Sequence, residues 1–221
     1  MAQDRLGPVL LVPGRNADSG ALVNLQRRLF LSGRRVLIVS TGIEDLGDLN
    51  AQAQQVQLAA EKLIADGAPS VDVVGYSAGG VVARLWVQRY DGAHKARRVV
   101  TLGSPHHGTS LAAAGTVLAP GACPTACQQL TPGSSLLAGM RTPVPARPAW
   151  LAVWTDDDQT VTPPDSGRLE GATNLEIQSV CPGLTVSHGD LPRSPVVAAA
   201  VLAELGTSRP AVPGPEICAG G

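Results

Sequence analysis

The pattern of apolar and polar positions divides the chain into alternating short and long segments. Pro8 to Val12 is a short apolar run, and Val36 to Val39 is another. Runs of this length, unbroken by polar residues, predict strands covered on both faces. Between them, Leu22, Leu25 and Leu29 recur at helical spacing while Arg27 and Arg28 fall on the other side. This predicts a helix over Ala21 to Leu31, with Ser19 as its N-cap and Ser32-Gly33 closing it. A longer helix is predicted from an Asp48 cap to about Ala65. Val56, Ala59, Ala60, Leu63 and Ile64 form its stripe, and Asp66-Gly67-Ala68-Pro69 ends it.

The same alternation continues. Val71, Val73 and Val74 predict a buried strand, and an apolar helix is predicted from about Gly79 to Tyr90. Further strands are predicted at Val99 to Leu102, Trp150 to Trp154 and Leu175 to Val180. A last helix follows, capped by Ser194, opened by Pro195 and running to about Leu205. About six strands alternating with helices predict right-handed crossovers and a mainly parallel sheet with helices on both faces, an α/β fold. There are no internal repeats. One domain over 1–221 is expected, with a core at 8–206 and a tail at 207–221 held only by Cys218. Residues 104–149 break the alternation and are expected to border a cleft.

Composition narrows the partners. With 44% hydrophobic and 16% charged residues, the chain is not disordered. The net charge of -1 supplies no basic field for nucleic acid, and aromatics at 3% supply no stacking platform for bases. No apolar run approaches the length of a membrane span, so no stable membrane insertion is expected. Met1 to Arg5 has no apolar signal region. This fits a cytoplasmic protein or one that begins after a removed leader, and the cysteines favour the second. Cys123, Cys127, Cys181 and Cys218 allow three pairings. The sequential one, Cys123–Cys127 with Cys181–Cys218, is expected, in an oxidising, extracytoplasmic compartment; a zinc site is the competing reading.

Chemistry enters at Gly75-Tyr76-Ser77-Ala78-Gly79, a G-x-S-x-G between a strand and a helix. A turn this sharp crowds the backbone at two residues on either side of the serine, where glycine fits. It also sets the hydroxyl at a helix N-terminus. A serine nucleophile needs a histidine base, and the histidine needs an acid to fix its tautomer. In a sheet of this kind the acid and then the histidine follow later strands. Asp156-Asp157-Asp158 follows Trp154, and His188, the last of four histidines, follows the final predicted strand. His106-His107 is read as a structural turn rather than a metal site, and His94 as part of a polar surface turn.

These motifs resemble the α/β-hydrolases, and within them the small bacterial secreted lipases and esterases, such as the minimal Bacillus-type lipase and its actinomycete relatives. Five stretches over residues 8 to 206 carry the likeness: Leu10-Leu11-Val12-Pro13-Gly14; Val73 to Gly80; Val99-Val100-Thr101-Leu102-Gly103-Ser104-Pro105-His106-His107-Gly108; Asp158-Gln159-Thr160-Val161; and Ser187-His188-Gly189. The resemblance implies a minimal α/β-hydrolase fold and a monomeric bacterial, secreted enzyme acting on ester or lipid substrates without cofactor or metal. The implied triad is Ser77, Asp158 and His188, with Asp157 the alternative acid. The implied oxyanion donors are the backbone N–H groups of Arg15 and Ala78. Where many relatives have His-Gly after the first strand, this chain has Pro13-Gly14. Hydrolysis of short- to medium-chain esters is expected. Acyl transfer to another acceptor, thioester cleavage and a non-catalytic binding role are the alternatives.

Overall fold

In the computed structural model, the described residues are 5–14, 19–40, 47–118, 121, 123–206 and 212–220. Six strands form one sheet: β1 (Val9–Val12), β2 (Val36–Ile38), β3 (Val71–Tyr76), β4 (Ala96–Leu102), β5 (Ala149–Trp154) and β6 (Thr173–Glu176). Their order is β2-β1-β3-β4-β5-β6, and every neighbouring pair is parallel. The helices are α1 (Ser19–Leu31), α2 (Leu49–Ala65), α3 (Ala78–Arg89), α4 (Gly92–Lys95), α5 (Ser110–Leu118), α6 (Thr125–Gln129), α7 (Ser135–Ala138), α8 (Ile177–Val180) and α9 (Pro195–Gly206).

The period-two alternation of the strands sorts the core into two layers. Leu10, Val12, Val73, Val99 and Ala152 point to one face and pack under α2 and α3. Leu11, Val74, Val100, Leu151, Val153 and Leu175 point to the other, against α1 and α9. Both faces of β3 and β4 are covered, so both strands are buried throughout. The register pairs Val12 with Gly75, Tyr76 with Leu102, and Leu102 with Val153, which brings the carboxyl ends of the central strands level. Residues that follow those ends therefore meet above one rim of the sheet.

The helix ends follow the chemistry of their caps. Asp48 accepts the Asn50 N–H at 2.9 Å, and the Ser194 hydroxyl accepts the Val197 N–H at 3.4 Å. Three expectations are corrected. Helix α1 already includes Ser19, so Ser19 is its first residue and not its N-cap. The last strand stops at Glu176, not Val180, and the chain turns into α8, where the Cys181 N–H bonds the Ile177 carbonyl at 2.8 Å. The described end of the tail is held by more than its cysteine. Residues Pro215–Gly220 form a 3-10 turn, and Ile217 is buried in the α1/α9 layer. Residues 104–149 contain α5, α6 and α7 and, among the described residues, no strand until β5 begins at Ala149. Among the described residues, no helix is long and apolar enough to cross a membrane.

Candidate active site

The turn after β3 is built by contact. A Cβ on Gly75 would lie 2.5 Å from the Gly79 carbonyl oxygen, and one on Gly79 would lie 2.2 Å from that of Val12. The two glycines of the motif thus let α3 start flush against the ends of β3 and β1. Ser77 holds φ at 55°, a left-handed conformation that a non-glycine residue adopts only when its surroundings hold it there. Its N–H donates to the Leu102 carbonyl at 2.8 Å, and its own carbonyl accepts from Gly80 at 3.1 Å. The side chain is left standing above the sheet rim.

Two residues from distant parts of the chain meet it there. His188 Nε2 lies 3.1 Å from Ser77 Oγ, and His188 Nδ1 lies 2.7 Å from Asp158 Oδ2. Asp158 is 1% exposed and His188 8% exposed, so water screens the pair little. An ionised Asp158 only accepts, which places the proton on Nδ1 and leaves Nε2 to accept from the serine hydroxyl. The other carboxylate oxygen, Oδ1, accepts the N–H groups of Thr160 at 2.8 Å and Val161 at 2.7 Å. The Asp-x-x-Val spacing is thus the span of a side chain capping its own turn. Asp157 points elsewhere: its Oδ2 accepts from Gln178 Nε2 and the Val186 N–H, both at 3.0 Å.

Comparison with known proteins places this geometry. Residues 31–140 match the family model described as palmitoyl protein thioesterase. That span includes Ser77 and ends before Asp158. Among solved structures, Aspergillus fumigatus lipase B superposes with a TM-score of 0.74 at 18% identity, over 93% of this chain and 54% of its own. Mature Bacillus licheniformis lipase BlEst2 gives 0.64 at 19% identity, over 76% and 82%. A metagenomic carboxyl esterase, MGS0156, gives 0.51 at 20%, over 67% and 50%. The chain shares the α/β-hydrolase fold of these structures. It spans about half the length of the Aspergillus lipase. No curated protein matches it in sequence at a significant level.

A pocket of about 350 Å³ opens over Ser77 and His188. Its wall comes from the 104–149 segment, through Pro105, Leu111, Ala112 and Leu130, with Val161 opposite. The Cys123–Cys127 disulfide braces that wall: a Cβ on Gly115 of α5 would sit 3.4 Å from Cys127 Sγ. Cys181–Cys218 ties the tail to the segment that leads to His188. Ala78 lines the pocket at the first position of α3, where a helix leaves its N–H groups without an intrahelical partner. Arg15 lies outside the described residues. Gly14 lines the pocket, where a Cβ would meet Ser77 Cβ at 2.9 Å.

His106 and His107 hold the turn beneath this wall. His106 is buried, with Nε2 3.1 Å from Thr101 Oγ1, and His107 Nε2 lies 3.1 Å from the Arg168 carbonyl. Burial, and after it the charge of Arg84, keeps the His106 pKa well below 6.5. His94 is exposed and pairs with Asp91 at 2.5 Å.

Sequence reasoning missed the residues that aim the histidine. The Tyr76 hydroxyl donates to the His188 carbonyl at 3.1 Å, and its ring lies against the imidazole with centroids 5.2 Å apart. Thr155 Oγ1 donates to the Val186 carbonyl at 2.7 Å. Gly103, with φ at 53°, passes so close that a Cβ there would lie 3.2 Å from His188 Nδ1 and 3.3 Å from Asp158 Oδ2. Tyr76 and Gly103 both stand in the motifs, but only their contacts give them a role.

Proposed function

We propose that this chain is a serine hydrolase that cleaves carboxylic esters through an acyl-enzyme. The observation that carries the reading is the continuous Ser77–His188–Asp158 relay at the floor of an apolar pocket. The lipases and esterases among its structural neighbours support the same class.

His188 Nε2 accepts the Ser77 proton as Oγ attacks the ester carbonyl. Asp158 keeps the imidazole in the right tautomer and stabilises its charged form. The Ala78 N–H, with a second backbone donor from the Pro13-Gly14-Arg15 loop, binds the oxyanion, each donor contributing about 3 kcal/mol in the transition state. The C–O bond breaks and the alcohol leaves with the proton from His188. Water then gives a proton to His188, attacks the acyl-enzyme, and releases the acid and Ser77.

The open, apolar wall at Leu111 and Leu130 supports acyl chains of short to medium length. The palmitoyl protein thioesterase match favours a second reading, thioester cleavage by the same groups. Both disulfides support an oxidising, extracytoplasmic setting, and the proposed working form is a monomer. Labelling with a fluorophosphonate probe tests nucleophile activation without the natural substrate. Wild type is expected to label and to hydrolyse p-nitrophenyl butyrate, and Ser77→Ala to do neither. Hydrolysis retained in purified Ser77→Ala sinks the assignment. Butyryl thioesters offered in parallel with oxygen esters separate the two readings.

A further inference from the structure

A second cavity, of about 90 Å³, lies beside the middle of α3, where Arg84, Gln88, Arg141, Val144 and Trp150 surround it. That volume equals about three waters, room for one small polyatomic ion. Arg84 is 3% exposed. Its guanidinium donates to the carbonyls of His106 at 3.3 Å and Arg141 at 3.0 Å, and to Thr142 Oγ1 at 2.7 Å. All three acceptors are uncharged. The other buried arginines of the fold meet carboxylates: Arg97 pairs with Asp72 at 2.6 Å, and Arg98 with Glu204 at 3.1 Å. Among the described residues, no carboxylate pairs with Arg84 or Arg141.

Two further facts concern the same spot. Arg84 Nε and Trp150 Nε1 are buried N–H donors without an acceptor, and both residues border the cavity. Burial also draws the Arg84 pKa down to about 10, the response of a charge withdrawn from water without a counter-charge. A strap that only held carbonyls together would need the hydrogen bonds but not this unmatched charge. Buried charges in folded proteins are paired, and arginine's planar fork matches carboxylate and phosphate oxygens.

We propose that this cavity is a binding site for a small oxyanion, a phosphate, a sulfate or a short carboxylate, held by Arg84 and Arg141 with the Trp150 indole N–H beside them. Arg84 supplies the fixed charge from α3. Arg141, whose side chain is exposed, closes over the ion from the segment that continues into the pocket wall. A bound ion therefore ties that segment to the helix that follows Ser77. The site is separate from the serine and does not depend on the proposed esterase activity.

Isothermal titration calorimetry of the intact protein with sodium phosphate, sulfate and acetate, at ionic strength held constant with sodium chloride, tests this. Saturable binding of one ion per chain is expected, at least about tenfold weaker in Arg141→Ala and in Arg84→Met, and unchanged in Ser77→Ala. Phosphate and acetate compared directly tell which oxyanion geometry the site takes. Arg84→Met can fail to fold, and in that case Arg141→Ala, at an exposed side chain, decides. Absence of saturable heat with all three anions at millimolar concentrations overturns the proposal. So does unchanged affinity in Arg141→Ala, and so does binding lost only in Ser77→Ala, which would place the ion at the oxyanion donors.

Discussion

Gly103→Ala tests whether the histidine is aimed by a backbone that leaves no room for a side chain. Two costs separate cleanly. Holding an L-residue near φ 53° costs about 1–2 kcal/mol of stability. Gly33, at φ 84° with nothing within 4 Å of its would-be Cβ, incurs the same backbone cost and no collision. At Gly103 the new methyl also meets Leu191 Cδ1 at 2.5 Å, which can move aside, and the His188 and Asp158 polar atoms at 3.2 and 3.3 Å, which must give by a few tenths of an ångström. A displacement of about 1 Å in a catalytic group costs on the order of a hundredfold, so this smaller shift is expected to lower kcat about tenfold with KM little changed. Urea denaturation and ester hydrolysis by both variants provide the assay. A loss of stability is expected in both, larger in Gly103→Ala because of the added contacts, with loss of kcat in Gly103→Ala alone. Native kcat in a folded Gly103→Ala protein would refute the steric argument.

The two aspartates make a sharper contrast. Asp158→Asn, which takes the charge from the His188 Nδ1 partner, is expected to lower kcat by about 10³–10⁴-fold. Asp157→Asn keeps an oxygen for the Val186 N–H and is expected to lose less than about tenfold; the reverse order in a chromogenic ester assay would reassign the acid. The disulfides differ in the loop they close, 37 residues apart for Cys181–Cys218 and 4 for Cys123–Cys127. Paired serine substitutions are expected to cost about 4 and about 2 kcal/mol respectively by loop entropy. Equal denaturation midpoints for the two double variants would contradict that.

Much of this was legible in the sequence where a single physical demand governed a long stretch. Unbroken apolar runs such as Val9–Val12 have no stable place except between two layers, and the sheet followed. Leu175–Val180 was misread because its apolar positions, Leu175, Ile177 and Val180, suit a strand and a helical turn equally. Only the Gln178 amide, reaching Thr155 Oγ1 at 2.9 Å and the Leu184 carbonyl at 3.1 Å, shows why the chain turns there. The meeting of Ser77 with His188 follows from strand order, which alternation suggests. The support from Tyr76, Thr155 and Gly103 rests on contacts between segments far apart in sequence, and no local pattern records those. Arg84 falls in the same class. On a helix that reads as apolar all round, its partners lie in a segment whose path the sequence left open.

The pocket wall sits on a different part of the chain from the proposed reacting groups. Ser77, Asp158 and His188 follow β3, β5 and the α8 turn, whereas Leu111, Ala112 and Leu130 belong to a detour between β4 and β5 with its own cross-link. This divides heritable change into two compartments. Substitutions in the detour can reshape what fits without disturbing the relay, and a transplanted detour carries its brace with it. On the proposed reading, a lineage holding this arrangement can therefore diversify its substrates while its chemistry stays fixed.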